Sequence, residues 1–167
     1  PRNDSAGQAE QALRQIPERA LGPTEQAYYE GIGLLTQVRM GRREGLSARV
    51  QGFQRKVPAE LAQSMLGPGG VQALAAAGHY LARNYQDSAE TAQRGLKGAS
   101  EEAARTLKQL YGFSLLAQAS RSYARNNVRS ATAEVKKATP SLEGSDDLVF
   151  AQGVLAYASG KHDAAAR

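Results

Sequence analysis

The chain has 167 residues, of which 41% are hydrophobic, so it is long and apolar enough to build one domain with its own core. It has no cysteine, which excludes disulfides, thiolate zinc sites and cysteine nucleophiles, and its two histidines, His79 and His162, stand far apart. The net charge is +5, and no apolar run approaches the roughly 18–20 residues that a bilayer crossing needs.

Glycine, proline and asparagine divide the chain into helix-sized segments, and none of these alternates apolar and polar residues as a strand would. We therefore expect an all-α protein whose sequential helices pack antiparallel, because the connections are short. Ser100 and Ser145 are the expected N-caps of two of the helices. The helices are predicted over residues 5–21, 25–40, 43–57, 58–66, 71–83, 86–97, 101–125 and 128–138, with a final pair after 145 divided at Gly160.

The two ends of the sequence are typical of a single helical domain, residues 1–167, taken from a longer chain. The sequence begins at Pro1 without methionine and stops in an alanine-rich stretch that resembles a helix cut short. The Ala-, Gly- and Arg-rich composition favours a bacterial source. The absence of cysteine is compatible with a periplasmic rather than a cytoplasmic location, which nothing else in the sequence decides.

Charge is distributed unevenly along the chain. Residues 31–137 carry a net charge of +9, whereas the flanking segments carry −2 each. A basic middle attracts an anionic partner or forms the solvated outer face of the helices, and the second interpretation is favoured. Arg121, Arg125 and Arg129 are spaced by four, but a predicted turn at Asn126 interrupts that stripe and no aromatic residue interleaves it. Nucleic-acid binding is therefore kept only as an alternative.

The C-terminal third of the sequence contains an internal repeat. Ala117-Gln118 and Tyr123-Ala124 recur, 34 positions later, as Ala151-Gln152 and Tyr157-Ala158. A period of 34 residues is that of the tetratricopeptide repeat, a helix–turn–helix unit.

An earlier copy is displaced by 42 positions, since Ala82-Arg83-Asn84 recurs as Ala124-Arg125-Asn126. Gly153 stands at the small position of the repeat's first helix, and Gly160 stands at the turn between its helices. Residues 25–165 thus resemble a tetratricopeptide-repeat array, although no tryptophan opens the first helix of each pair. The resemblance implies an α-solenoid of about four antiparallel helix pairs, a right-handed superhelix with irregular repeat lengths. A generic helical bundle is the alternative.

The resemblance also implies a function. In this family the first helix of each pair lines a concave face that binds extended peptides or partner helices, so we expect a non-enzymatic protein–protein interaction scaffold, for example in a bacterial envelope assembly or secretion complex. Tyrosine suits such a groove because it offers apolar area and a hydroxyl, although packing between repeats is the favoured interpretation of each single tyrosine. The groove candidates are Tyr28, Arg39, Leu74, Leu81, Phe113, Leu116, Tyr123, Phe150 and Tyr157.

No motif predicts catalysis, a cofactor or a metal site. Gly31-Ile32-Gly33 lacks the third glycine and the preceding strand of a dinucleotide-binding motif, and residues 67–70 lack the Lys-Ser/Thr of a P-loop. The acidic pairs Glu101-Glu102 and Asp146-Asp147 are typical of first helical turns. We therefore expect no enzyme; the alternatives are a structural or regulatory arm of a larger enzyme and a basic nucleic-acid-binding repeat. Exposed terminal helices would also permit a homo-oligomer.

Overall fold

The computed structural model describes residues 5–160, and every regular element in that range is helical. The prediction of an all-α protein is confirmed. The second helix predicted after Gly160 lies outside the described residues. The helices are α1 Ser5–Arg14, α2 Pro23–Arg39, α3 Leu46–Lys56, α4 Ala59–Leu66, α5 Gly70–Leu81, α6 Tyr85–Gly95, α7 Glu101–Ala124, α8 Val128–Ala138 and α9 Asp146–Ala158, with 3-10 turns at Glu18–Ala20 and Thr139–Ser141.

Side-chain hydrogen bonds cap the starts of α7, α8 and α9. The hydroxyl of Ser100 accepts a hydrogen bond from the Ala103 N–H at 3.3 Å, and the hydroxyl of Ser145 accepts one from the Leu148 N–H at the same distance. Both predicted N-caps are therefore confirmed. Helix α1 ends at Arg14, earlier than predicted, because Pro17 disfavours helical backbone at the residue before it.

The same turn follows four of the helices. After α2, α5, α7 and α9 one residue adopts positive φ, between +58° and +74°, and its N–H donates to the carbonyl three residues earlier. A left-handed residue at this place is a common helix C-cap. These residues are Gly41, Arg83, Asn126 and Gly160.

Hydrophobic packing proceeds along the chain in three overlapping clusters. The first core joins α2, α3, α4 and α5, the second joins α5, α6 and α7, and the third joins α7, α8 and α9. Helix α7 is 24 residues long, so Leu107 in its first half lies in the second core and Leu115 in its second half lies in the third. Each cluster shares a helix with the next.

Small residues let neighbouring helices approach closely. A Cβ added at Gly112 of α7 would lie 2.5 Å from Cγ of Leu142, which follows α8. A buried pair of hydroxyls also crosses the second core: Ser114 donates to Ser88 at 2.8 Å, and Ser88 donates to the Ala76 carbonyl at 2.8 Å. These contacts link α5, α6 and α7 through polar atoms that water does not reach.

Within residues 5–160, no helix combines the length and the apolar content that crossing a membrane requires.

Candidate functional site

A groove with a volume of about 590 Å³ opens between α7 and α9, over α8, with one side chain of α5 at its edge. We call it the α7–α9 groove. Its lining is mainly apolar and aromatic. It consists of Tyr80, Phe113, Leu116, Ala117, Ala119, Ser120, Tyr123, Ala131, Val135, Asp147, Phe150, Ala151, Val154 and Leu155.

The wall formed by α7 is one continuous stripe of that helix. Phe113, Leu116, Ser120 and Tyr123 follow one another at intervals of three or four residues, which places them on one helix face. On α9, Phe150 and Val154 have the same spacing. The floor between the two walls includes two buried residues of α8, Ala131 and Val135.

Aromatic side chains are unusually open to solvent at this groove. Phe150 is 75% exposed and Tyr123 is 39% exposed. Two further apolar side chains of α9, Val149 at 56% and Tyr157 at 67%, lie outside the lining. Contiguous exposed apolar surface of this kind is typical of sites that bind another molecule.

Tyr80 is held at the edge of the groove by a chain of contacts around the α5–α6 turn. Its ring centroid lies 5.4 Å from that of Tyr85, and the guanidinium of Arg121 lies 4.4 Å from the Tyr85 ring centroid. Arg121 also donates to the Arg83 carbonyl at 3.1 Å, and Gln118 donates to the Tyr85 carbonyl at 3.2 Å. Two side chains of α7 thus fasten the turn that follows Tyr80.

Among residues 5–160, Asp147 is the only charged residue in the lining of the groove. It lies in the first turn of α9, where the Ser145 hydroxyl already caps the helix. Burial raises the pKa of Tyr80, and Tyr85 and the negative charge of Asp147 raise that pKa further. The electrostatic effect of Asp147 on Tyr80 links α9 with the α5 side of the groove.

Four of the nine groove candidates predicted from the sequence line this groove together: Phe113, Leu116, Tyr123 and Phe150. Tyr157 follows Phe150 by seven residues, on the same side of α9, but lies beyond the lining.

Tyr28 and Arg39 lie on α2, away from the α7–α9 groove. Both are exposed, and they share one face of that helix with the exposed side chains of Ile32 and Leu35.

Leu74 and Leu81 of α5 do not line the groove. Leu74 is 3% exposed inside the first core, and Leu81 packs against the same core. The reason is a register difference of one residue: the two equivalent turn residues, Arg83 and Asn126, are 43 positions apart instead of the predicted 42. One residue rotates a side chain by about 100° around a helix, so the α5 equivalent of Tyr123 is Tyr80.

Sequence reasoning missed Tyr80 and Asp147 as groove residues. Tyr80, Tyr123 and Tyr157 each stand three residues before a positive-φ residue, but this shared position is visible only in the backbone. Asp147 gave no separate signal, since an acidic residue in a first helical turn is ordinary.

A second cavity, of about 610 Å³, lies between α2, α3 and the first 3-10 turn. Its lining mixes charges of both signs, and a hydrogen bond to Glu18 raises the pKa of Tyr29 inside it. Apolar lining with few polar groups is the commoner character of a binding pocket, which favours the α7–α9 groove. The charged residues of this second cavity are Glu18, Arg19, Glu30, Arg49 and Lys56.

The basic stripe considered for nucleic-acid binding is divided in the folded chain. Arg121 is engaged with Tyr85 and the Arg83 carbonyl, and Asn126 turns the backbone with φ of +58° before Arg129. In the part of the chain that the structure describes, no three His, Asp or Glu side chains come together as metal ligands.

Comparisons with models of protein families, with curated proteins and with solved structures find no match to this chain.

Proposed function

We propose that this chain is a tetratricopeptide-like α-solenoid that acts as a non-enzymatic scaffold, binding a partner protein or peptide in the α7–α9 groove. The observation that carries the proposal is Phe150, which is 75% exposed at a groove whose other walls are mostly apolar. When a partner covers this phenylalanine, apolar surface is removed from water, which makes the free energy of binding more favourable. We propose a bacterial envelope assembly or secretion complex as the setting, because the amino-acid composition and the resemblance to the tetratricopeptide-repeat family favour it.

Two features of the fold support the solenoid part of the proposal. The same helix-ending turn recurs after α2, α5, α7 and α9, which the proposal takes as the first helix of each pair. The three cores overlap through shared helices, as expected when each repeat packs only on its neighbours.

The lining of the groove supports the binding part. Four aromatic side chains, Tyr80, Phe113, Tyr123 and Phe150, surround small residues at its floor. Aromatic residues dominate the binding energy of many protein interfaces because each buries a large area with little loss of side-chain freedom.

The test compares two neighbouring residues of α9. Peptides are first selected from a phage-displayed random library on the immobilised wild-type chain, and the affinity of the enriched peptides is then measured by fluorescence anisotropy. Phe150→Ala removes a groove side chain, whereas Val149→Ala removes an exposed apolar side chain outside the lining. We expect the first change to weaken binding about tenfold or more and the second by less than about twofold.

Circular dichroism and urea unfolding are the controls for folding, and we expect both variants to remain folded because the two side chains are exposed. The proposal fails if no peptide is enriched over the bare matrix. It also fails if the enriched peptides lose affinity equally in both variants, because the groove would then have no special part in binding.

A further inference from the structure

We infer that the segment bound in the α7–α9 groove is a short peptide with a lysine or arginine next to apolar residues, its cationic group paired with Asp147. The inference rests on the proposed function, because it names the chemistry of the partner that the same groove binds. It follows from the charge of the lining, from the surroundings of Asp147 and from the aromatic faces nearby.

The charge of the lining has one sign. Of the fourteen described residues that line the groove, only Asp147 is charged, although the chain as a whole carries +5. Complementary charges give an interface its specificity and register, so a groove whose single charge is negative selects a cation. Exposed positive charges more than about 8 Å from the groove are largely screened at physiological salt.

The carboxylate of Asp147 is available for such a pairing. Within residues 5–160 it takes part in no ion pair, and the cap of α9 is provided by Ser145 instead. Asp147 is exposed, so a ligand can reach its carboxylate from solvent.

Aromatic rings add a second attraction for a cation. Burial raises the pKa of Tyr80 most, and Tyr85 and the negative charge of Asp147 raise it further. Phe150 stands three residues after Asp147 on α9, about one helical turn away. A guanidinium or ammonium group held by this carboxylate therefore also meets aromatic faces, which attract cations through their negative ring surfaces.

The volume of the groove limits how much of a bound segment can lie inside it. One turn of α-helix with its side chains, about 5.4 Å long and 10–12 Å across, occupies on the order of 500 Å³. The groove, at about 590 Å³, therefore accommodates roughly one helical turn or a few extended residues. That is enough for one cationic side chain between two or three apolar ones.

The experiment starts from the peptides enriched on the wild-type chain. Each enriched peptide is compared with a version in which its basic residue is replaced by methionine, and both are titrated against Asp147→Asn and Asp146→Asn. The two aspartates are adjacent in the first turn of α9 and complement the helix dipole alike, but only Asp147 lines the groove. The control therefore separates the groove charge from a general effect on the helix.

We expect the enriched peptides to contain lysine or arginine more often than the starting library does. Asp147→Asn should weaken their binding about two- to fivefold, and Asp146→Asn should leave it unchanged. In Asp147→Asn the methionine version should bind nearly as well as the parent peptide, because the interaction between the two charges is already lost.

The failures of the two proposals are distinguishable. Enriched peptides that carry no basic residue, or that bind Asp147→Asn as tightly as wild type, overturn this inference. If such peptides still lose affinity in Phe150→Ala, the groove remains a binding site, for an apolar segment. Peptides that bind Phe150→Ala and wild type equally overturn both proposals.

Discussion

At the scale of single residues, the buried hydroxyls of Ser88 and Ser114 form a hydrogen-bonded pair within the second core. Ser88 both accepts from Ser114 and donates to the Ala76 carbonyl. Ser88→Ala therefore leaves the Ser114 hydroxyl buried without its acceptor, and we expect the free energy of unfolding in urea to fall by about 1–3 kcal/mol.

Ser114→Ala provides the matched comparison. It removes only the donor, and Ser88 keeps its bond to Ala76, so the loss should be smaller than in Ser88→Ala. In the double variant neither hydroxyl is present, so none is left unpaired. The losses of unfolding free energy in the two single variants should therefore add up to more than the loss in the double variant. This account would be contradicted if the two single variants lost the same unfolding free energy and the double variant lost their sum.

The turn residue Arg83 gives a second prediction at this scale. Its φ of +64° is unfavourable for a residue with a Cβ, and Gly41 and Gly160 occupy equivalent turns. We expect Arg83→Gly to leave the free energy of unfolding unchanged or raise it by up to about 1 kcal/mol. Ala82→Gly, where φ is −74°, should lower it by about 0.5–1 kcal/mol. Thermal unfolding of the two variants tests this prediction. If both substitutions lowered the free energy of unfolding, or both raised it, the assignment of the turn would be contradicted.

The residues of the groove show how far sequence reasoning extends. The interval of 34 positions gives Tyr123 and Tyr157 equivalent positions, because Asn126 and Gly160 are equivalent turn residues at that same distance. Only Tyr123 of the two lines the α7–α9 groove. The interval of 42 misplaces the α5 residues by one position. Matching residue letters around Arg83 do not reveal which of them adopts positive φ, and only the backbone gives the register.

At the scale of helices, the close approach of α7 to the residues after α8 depends on Gly112. A Cβ there would lie 2.5 Å from Cγ and 2.9 Å from Cδ1 of the buried Leu142. We expect Gly112→Ala to destabilise the chain by about 1–3 kcal/mol in urea unfolding, because the packed side chain has little space into which to move.

Gly52, in the middle of α3, is the control for helix propensity. A Cβ at that position meets nothing within 4 Å, so Gly52→Ala should stabilise the chain by about 0.5–1 kcal/mol. If both glycine substitutions were stabilising, the packing of Leu142 against α7 would be incorrect.

Helix existence was more predictable than helix extent. The serine caps and the glycine breaks are local signals, and they correctly placed the starts of α7 and α9. Sequence signals did not show that the 24-residue α7 would serve two cores in succession, since that depends on how the second and third cores are spaced.

At the scale of the whole molecule, the overlapping cores predict that a destabilising substitution in one core loosens only the helices of that core and of the adjacent one. Leu155→Ala removes a buried side chain of the third core, and Leu34→Ala does the same in the first. By hydrogen exchange, we expect Leu155→Ala to reduce protection in α8 and α9 by about tenfold or more while α2 and α3 keep theirs. Leu34→Ala should give the reverse pattern. A uniform loss along the chain in both variants would indicate one cooperative unit instead.

The measurement that tests the central claim most directly is the location of the bound peptide. Amide chemical-shift changes would be followed by NMR while a library-selected peptide is titrated into the 17.8 kDa chain. The account predicts that the largest changes fall on Tyr80, residues 113–123 of α7 and residues 147–155 of α9. Changes concentrated on α2 and α3, or on the outer face of α6, would contradict it.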